Sequence, residues 1–128
     1  MMILYANVGS NDVPRSARFY DAALGALGYV RHTTNDTEVG YAAPGDPDVR
    51  LWVLRPFDGK PAHFGNGAML CFAAPSRAAV DAFYQQGLAN GGTDEGKPGL
   101  RYGPNFYTCY LRDPEGNKLS AVFDQPVS

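Results

Sequence analysis

NDVPRSARFYDAALGALGY, residues 11–29, and APSRAAVDAFYQQGLANGGT, residues 74–93, decide how this chain is read. Laid over each other 64 residues apart, half the length of the 128-residue chain, they pair Phe19 with Phe83, Tyr20 with Tyr84, Leu24 with Leu88 and Gly28 with Gly92. Each stretch also opens on a residue able to cap a helix, Asp12 or Ser76, whose side-chain oxygen can accept from the first free N–H groups. Ala17, Tyr20, Leu24 and Leu27 recur at helical spacing in the first copy, and Val80, Phe83, Tyr84 and Leu88 in the second, so each predicts a helix with one buried stripe. Pro14 suits an opening turn; Gly25 or Gly28, and Gly91 or Gly92, supply the exits.

Strands surround both helices. An apolar run precedes each, Ile3 to Val8 and Ala68 to Ala73. After the first helix, Tyr29 to Thr34 and Thr37 to Ala43 flank Asn35-Asp36, and Val49 to Leu54 follows Gly45-Asp46-Pro47. After the second, a short strand is expected near Leu100, and Phe106 to Arg112 forms a hairpin with Lys118 to Phe123. Each half therefore reads β-α-β-β-β, module one over about 1–60 and module two over about 66–128. Some sixty residues with one helix bury only a marginal core. The expectation is an α+β fold in which the paired modules make one domain over 1–128, with helices on one face and a curved sheet enclosing a central cleft on the other.

With 45% apolar and 19% charged residues and a formal charge of −2, the chain gives no electrostatic reason to expect nucleic acid or an anionic membrane as partner. The start, MMILYANVGSND, lacks a basic region and its apolar run breaks at Asn7, so it reads as neither signal peptide nor membrane span. A cytoplasmic location is the expectation. Cys71 and Cys109 show no metal-finger or redox spacing and read as reduced, partly buried thiols.

Three stretches carry a resemblance: GSNDVPRSARFYDAALGALGY (9–29), GNGAMLCFAAPSRAAVDAF (65–83) and YLRDPEGNKLSAVF (110–123). In this order, over essentially the whole chain, they resemble the vicinal oxygen chelate superfamily, which includes glyoxalase I, bleomycin-resistance proteins and extradiol dioxygenases. The resemblance implies a divalent metal held on the open face by the first and fourth strands of each module. Its first-strand positions fall on Tyr5 and Met69, and its last on Ser120. Matching Asp46-Pro47-Asp48 to Asp113-Pro114-Glu115 puts the remaining one on Val53. None is a histidine or carboxylate. A divalent cation needs several convergent carboxylate, imidazole or thiolate donors, so no metal or other cofactor is expected there.

Strand alternation says what lines the cleft instead. Pairing Arg112 with Lys118 sets Tyr110 opposite Ser120 and Thr108 opposite Val122, and turns Leu111, Leu119 and Ala121 toward the helices. The cleft then holds Tyr5, Asn7, Met69, Cys71, Thr108, Tyr110 and Ser120, an apolar-aromatic lining with a few hydroxyls and amides. The turn-rich segment 96–105 reads either as a rim, with Arg101 attracting an anionic group and Asn105 beside it, or as a solvated connection. His32 and His63 lie off the ligand positions and read as surface residues, Gly65-Asn66-Gly67 reads as a turn, and Trp52 as core beside a cleft-facing Val53.

The reading is a metal-independent protein that binds a small, partly aromatic molecule, with Tyr5, Met69 and Tyr110 in apolar contact and Ser120, Asn7 and Arg101 orienting it. The alternatives are a lyase or dioxygenase using other metal ligands, and an interaction protein whose cleft is filled. Any homodimer is expected to be an isologous two-fold pair with the cleft mainly within one subunit.

Overall fold

In a computed structural model, which describes residues 1–127, the repeat is visible as two open four-stranded mixed sheets. Module one comprises β1 (Ala6–Gly9), α1 (Val13–Gly25), β2 (Val30–Thr34), β3 (Glu38–Ala42) and β4 (Leu51–Leu54). Module two comprises β5 (Met69–Ala73), α2 (Arg77–Ala89), β6 (Thr93–Leu100), β7 (Phe106–Arg112) and β8 (Lys118–Asp124). Strand orders are β1-β4-β3-β2 and β5-β8-β7-β6, with the first strand of each module parallel to the fourth and the other pairs antiparallel. No helix among the described residues is long and apolar enough to cross a membrane.

The caps are the predicted ones: Asp12 accepts from Arg15 N at 3.1 Å and Ser76 from Ala79 N at 3.0 Å. Gly28 and Gly91 end the two helical segments with φ of +93° and +98°, a left-handed conformation that a Cβ disfavours. Ala17, Tyr20, Leu24 and Leu27 are buried as predicted. In α2 the stripe differs. Val80 and Phe83 are fully buried, but Leu88 sits at the exposed rim and Gly87 takes the buried place one turn after Phe83. A Cβ at Gly87 would lie 2.8 Å from Leu111 Cδ2 and 3.3 Å from Phe19 Cε1. Glycine there lets α2 close onto β7 and α1, and the core between helices and sheets spans both modules.

The closing turn of module two clamps the modules together. Buried Asp113 accepts from the phenol of buried Tyr20 at 2.6 Å, from Asn117 Nδ2 at 2.8 Å, and from the backbone N of Glu115 and Asn117. Arg15 donates to both carboxylate oxygens of Glu115 at 3.1 Å, and Asn117 Nδ2 to Gly9 O at 3.2 Å. The clamp holds edge strands β1 and β5 near each other without a ladder between them, so the two sheets stay separate among the described residues.

Candidate functional site

The β7–β8 hairpin has the expected register: Arg112 faces Lys118, Tyr110 faces Ser120 and Thr108 faces Val122. Leu111, Leu119 and Ala121 are fully buried on the helix side. On the opposite side Cys71 of β5 lies beside Ser120. Thr108 Oγ1 is 2.9 Å from Ser120 Oγ and donates to Ala121 O at 2.9 Å, while the Cys71 thiol approaches Ser120 Oγ at 3.7 Å. Thr108 and Ser120 are only 0% and 1% exposed. Their hydroxyls satisfy each other beneath the surface, so they form a floor and Cys71 lies exposed upon it.

Tyr110 stands on that floor between two cations. The Arg101 guanidinium lies 5.4 Å from its ring centroid and Lys118 Nζ 5.5 Å from it. Arg101 also donates to Lys97 O at 2.8 Å, which folds the 101–105 loop back over β6. Burial, and then neighbouring Tyr102, raises the Tyr110 pKa. The phenol is therefore neutral at physiological pH and serves as a hydrogen-bonding group, not as an anionic ligand. Asn105 is half-buried in the same loop, and its side chain makes no hydrogen bond among the described residues.

The other candidates lie apart. Asn7 and Met69 share a groove of about 260 Å³ between the β1 and β5 edges, with His63, Phe64 and Lys118. Tyr5 lines a separate groove with Leu4, His32 and Trp52. Tyr5 is 56% exposed and Met69 43%. Of the nine residues, Tyr5, Asn7 and Met69 thus line two separate grooves and the other six belong to the sheet face and loop around Tyr110, so they do not gather in one enclosed cavity. Lys118, His63 and Phe64 join the site although the sequence reading did not place them there. Lys118 could have been found, since it precedes Ser120 by two on the same strand; the linker residues could not, because their approach is purely tertiary.

One placement is corrected. Val53 is fully buried among the helix-side core, and Trp52 occupies the open face. In the parallel ladders Asn7 neighbours Trp52 as Cys71 neighbours Ser120, which makes the offset between fourth strands 68, not 67. The stretch from the matched aspartate to the open-face residue of the last strand is one residue longer in module two, Asp113 to Ser120 against Asp46 to Trp52, and carries Gly116 at φ +92°, so matching the turns by their aspartates slips the strand by one and reverses its faces. Gly40 was the available signal. It faces Trp52 across the ladder, and a Cβ there would lie 3.0 Å from Trp52 Cζ3.

With that correction the metal positions hold Tyr5, Trp52, Met69 and Ser120. A phenol, an indole, a thioether and a buried, hydrogen-bonded hydroxyl do not fit a hard or borderline divalent cation. Among the described residues no three His, Cys, Asp or Glu side chains converge elsewhere. Cys109 is sealed in the core, its thiol pKa pushed up to about 12 by burial.

Residues 2–120 match the family described as Glyoxalase/Bleomycin resistance protein/Dioxygenase superfamily. No curated protein matches the sequence. Among solved structures, a glyoxalase/bleomycin resistance protein from Albidiferax ferrireducens T118 is 41% identical over 98% of this chain and 100% of its own, with a TM-score of 0.87. A glyoxalase-related enzyme from Fulvimarina pelagi (19% identity, 100% and 94% coverage, TM-score 0.75) and a lactoylglutathione lyase from Agrobacterium tumefaciens (21%, 95% and 93%, TM-score 0.61) share the fold. Two β-α-β-β-β modules, an open face opposite the helices, and a family match over nearly every residue lead to one statement: this chain belongs to the glyoxalase/bleomycin resistance protein/dioxygenase superfamily.

Proposed function

We propose that the protein binds a small, partly aromatic molecule on its open face without a resident metal. The observation that carries this is the surface of module two, where the Tyr110 ring and the exposed Met69 and Cys71 side chains stand over a floor of already satisfied hydroxyls. Such a surface offers apolar contact above hydroxyls that already pair with each other. Tyr5 and Asn7 extend it across the grooves, Asn105 and Arg101 border it, and Thr108 and Ser120 hold its shape. The ring-bearing ligand is recognised by contact area and a neutral phenol, with no step assigned to a metal.

A thermal-shift screen of aromatic metabolites and antibiotics tests the reading, since a ligand at a hundred times its dissociation constant adds about 2.7 kcal/mol of stability. Hits should lose affinity in Tyr110→Ala. No hit at all, or hits unaffected by that change, would overturn it. About one tightly held metal per chain after dialysis would remove the metal-independent part. We further propose a cytoplasmic, isologous two-fold pair in which the exposed apolar run Met1 to Leu4 is covered. Light scattering that returns a strict monomer at high concentration would overturn the pairing.

A further inference from the structure

The charges around Tyr110 narrow the ligand further. Arg15, Arg31, Arg50 and Arg112 each have a carboxylate within 4.0 Å, on Glu115, Asp21, Asp46 and Glu95 respectively. Arg101 and Lys118, like Arg18, Arg55, Arg77, Lys60 and Lys97, have none among the described residues, but of these only Arg101 and Lys118 lie against one shared ring. Arg101 Nε, like Arg15 Nε and Arg77 Nε, is shielded from solvent and has no hydrogen-bond partner among the described residues. A shielded donor on a cation costs stability until something accepts from it. The adjoining groove, which Lys118 also lines, has no acidic side chain in its wall. Nearby Glu95 is occupied by Arg112, and Asp94 accepts from Tyr84.

Contact with an aromatic face is only a weak attraction for an exposed cation. It gives no reason to bring two uncompensated cations to one ring. An anion that completes the set does, and the same field disfavours a cationic ligand. We infer that the ligand of this face carries its own negative charge: a ring-bearing carboxylate or phosphate monoester, with the ring against Tyr110 and Met69 and the acidic group held by Arg101 and Lys118. The inference rests on the ring-binding reading above and adds the charge.

Three probes of matched ring, 1-naphthoate, 1-naphthyl phosphate and 1-naphthamide, separate the two claims by isothermal titration of the full chain at low salt. At least one acid should bind about fivefold or more tightly than the amide, and the order of the two acids distinguishes carboxylate from phosphate recognition. Lys118→Gln and Arg101→Gln should each weaken the acids by about 3- to 10-fold and the amide by clearly less, as expected for one partly exposed charge contact. Melting curves establish that both variants fold; if Arg101→Gln does not, Lys118→Gln alone decides. Equal binding of amide and acids, or an acid preference that survives unchanged in every folded variant, overturns the charge inference and leaves ring binding standing. If none of the three probes binds, the ring-binding reading falls and takes this inference with it.

Discussion

Ser120 shows how burial reassigns a residue whose position was read correctly. Strand pairing places it opposite Tyr110 and beside Cys71, as alternation required, but its hydroxyl is spent on Thr108 under the surface. Register was legible because it follows from period two; exposure was not, because it depends on what β5 and the 101–105 loop cover. Ser120→Ala should therefore lower stability by about 0.5 to 1.5 kcal/mol, read by urea denaturation, since Thr108 keeps its bond to Ala121 O. Cys109 makes a second prediction. Burial raises its pKa from 9.0 to about 12, and burial likewise raises the pKa of Tyr20, followed by Asp113 as a cause, and of Tyr41, followed by Asp21. The folded state keeps these protons where the unfolded chain releases them. The associated stability is full below pH 9.0 and falls as pH climbs, by up to about 1.4 kcal/mol per pH unit for each proton. Cys109→Ala should make the fall measurably shallower between about pH 9 and 11 in denaturation curves taken at each pH.

Helices and strands were the most readable layer, because caps, glycine exits and hydrophobic spacing agree with one another in both copies. β7 matches its expected bounds and β8 extends one residue further; β1 is shorter, leaving Met1 to Tyr5 outside the strand. Two glycines mark where the reading stopped. Gly87 replaces Leu88 in the buried stripe because α2 lies too close to β7 and Phe19 for a side chain. Gly40 makes room for Trp52 in the same way, from the opposite face. Gly40→Ala brings a Cβ to 2.7 Å from Val49 Cγ2 and 3.0 Å from Trp52 Cζ3. It should cost about 1 to 3 kcal/mol. Trp52 is the sole tryptophan, so its fluorescence should shift in the folded variant; unchanged emission and stability would contradict the placement on the open face.

The halves of the molecule are held by groups far apart in sequence, which spacing cannot reveal. Tyr20 and Asp113 lie 93 residues apart, and Arg15 and Glu115 lie 100 apart. Asp113→Ala strands a buried phenol and several N–H donors at once, whereas Tyr20→Phe removes one donor and leaves Asp113 three others. The first should destabilise by about 3 kcal/mol or more and the second by about 1, compared by thermal or urea unfolding. Equal losses would mean that the turn is held by something else.

That clamp also bears on the stretch of chain between the modules. Asp58, Gly59 and Lys60 are exposed, and Phe57 beside them packs on nothing. Continuity there fixes only the local concentration of one half around the other, while helix contact and the Asp113 turn supply the specific attachment. A gene cut at Gly59 should yield two polypeptides that co-purify when expressed together, each burying only a marginal core alone. The join is then a tether, and the protein behaves as a pair of fused partners whose recognition of each other outlasts the fusion.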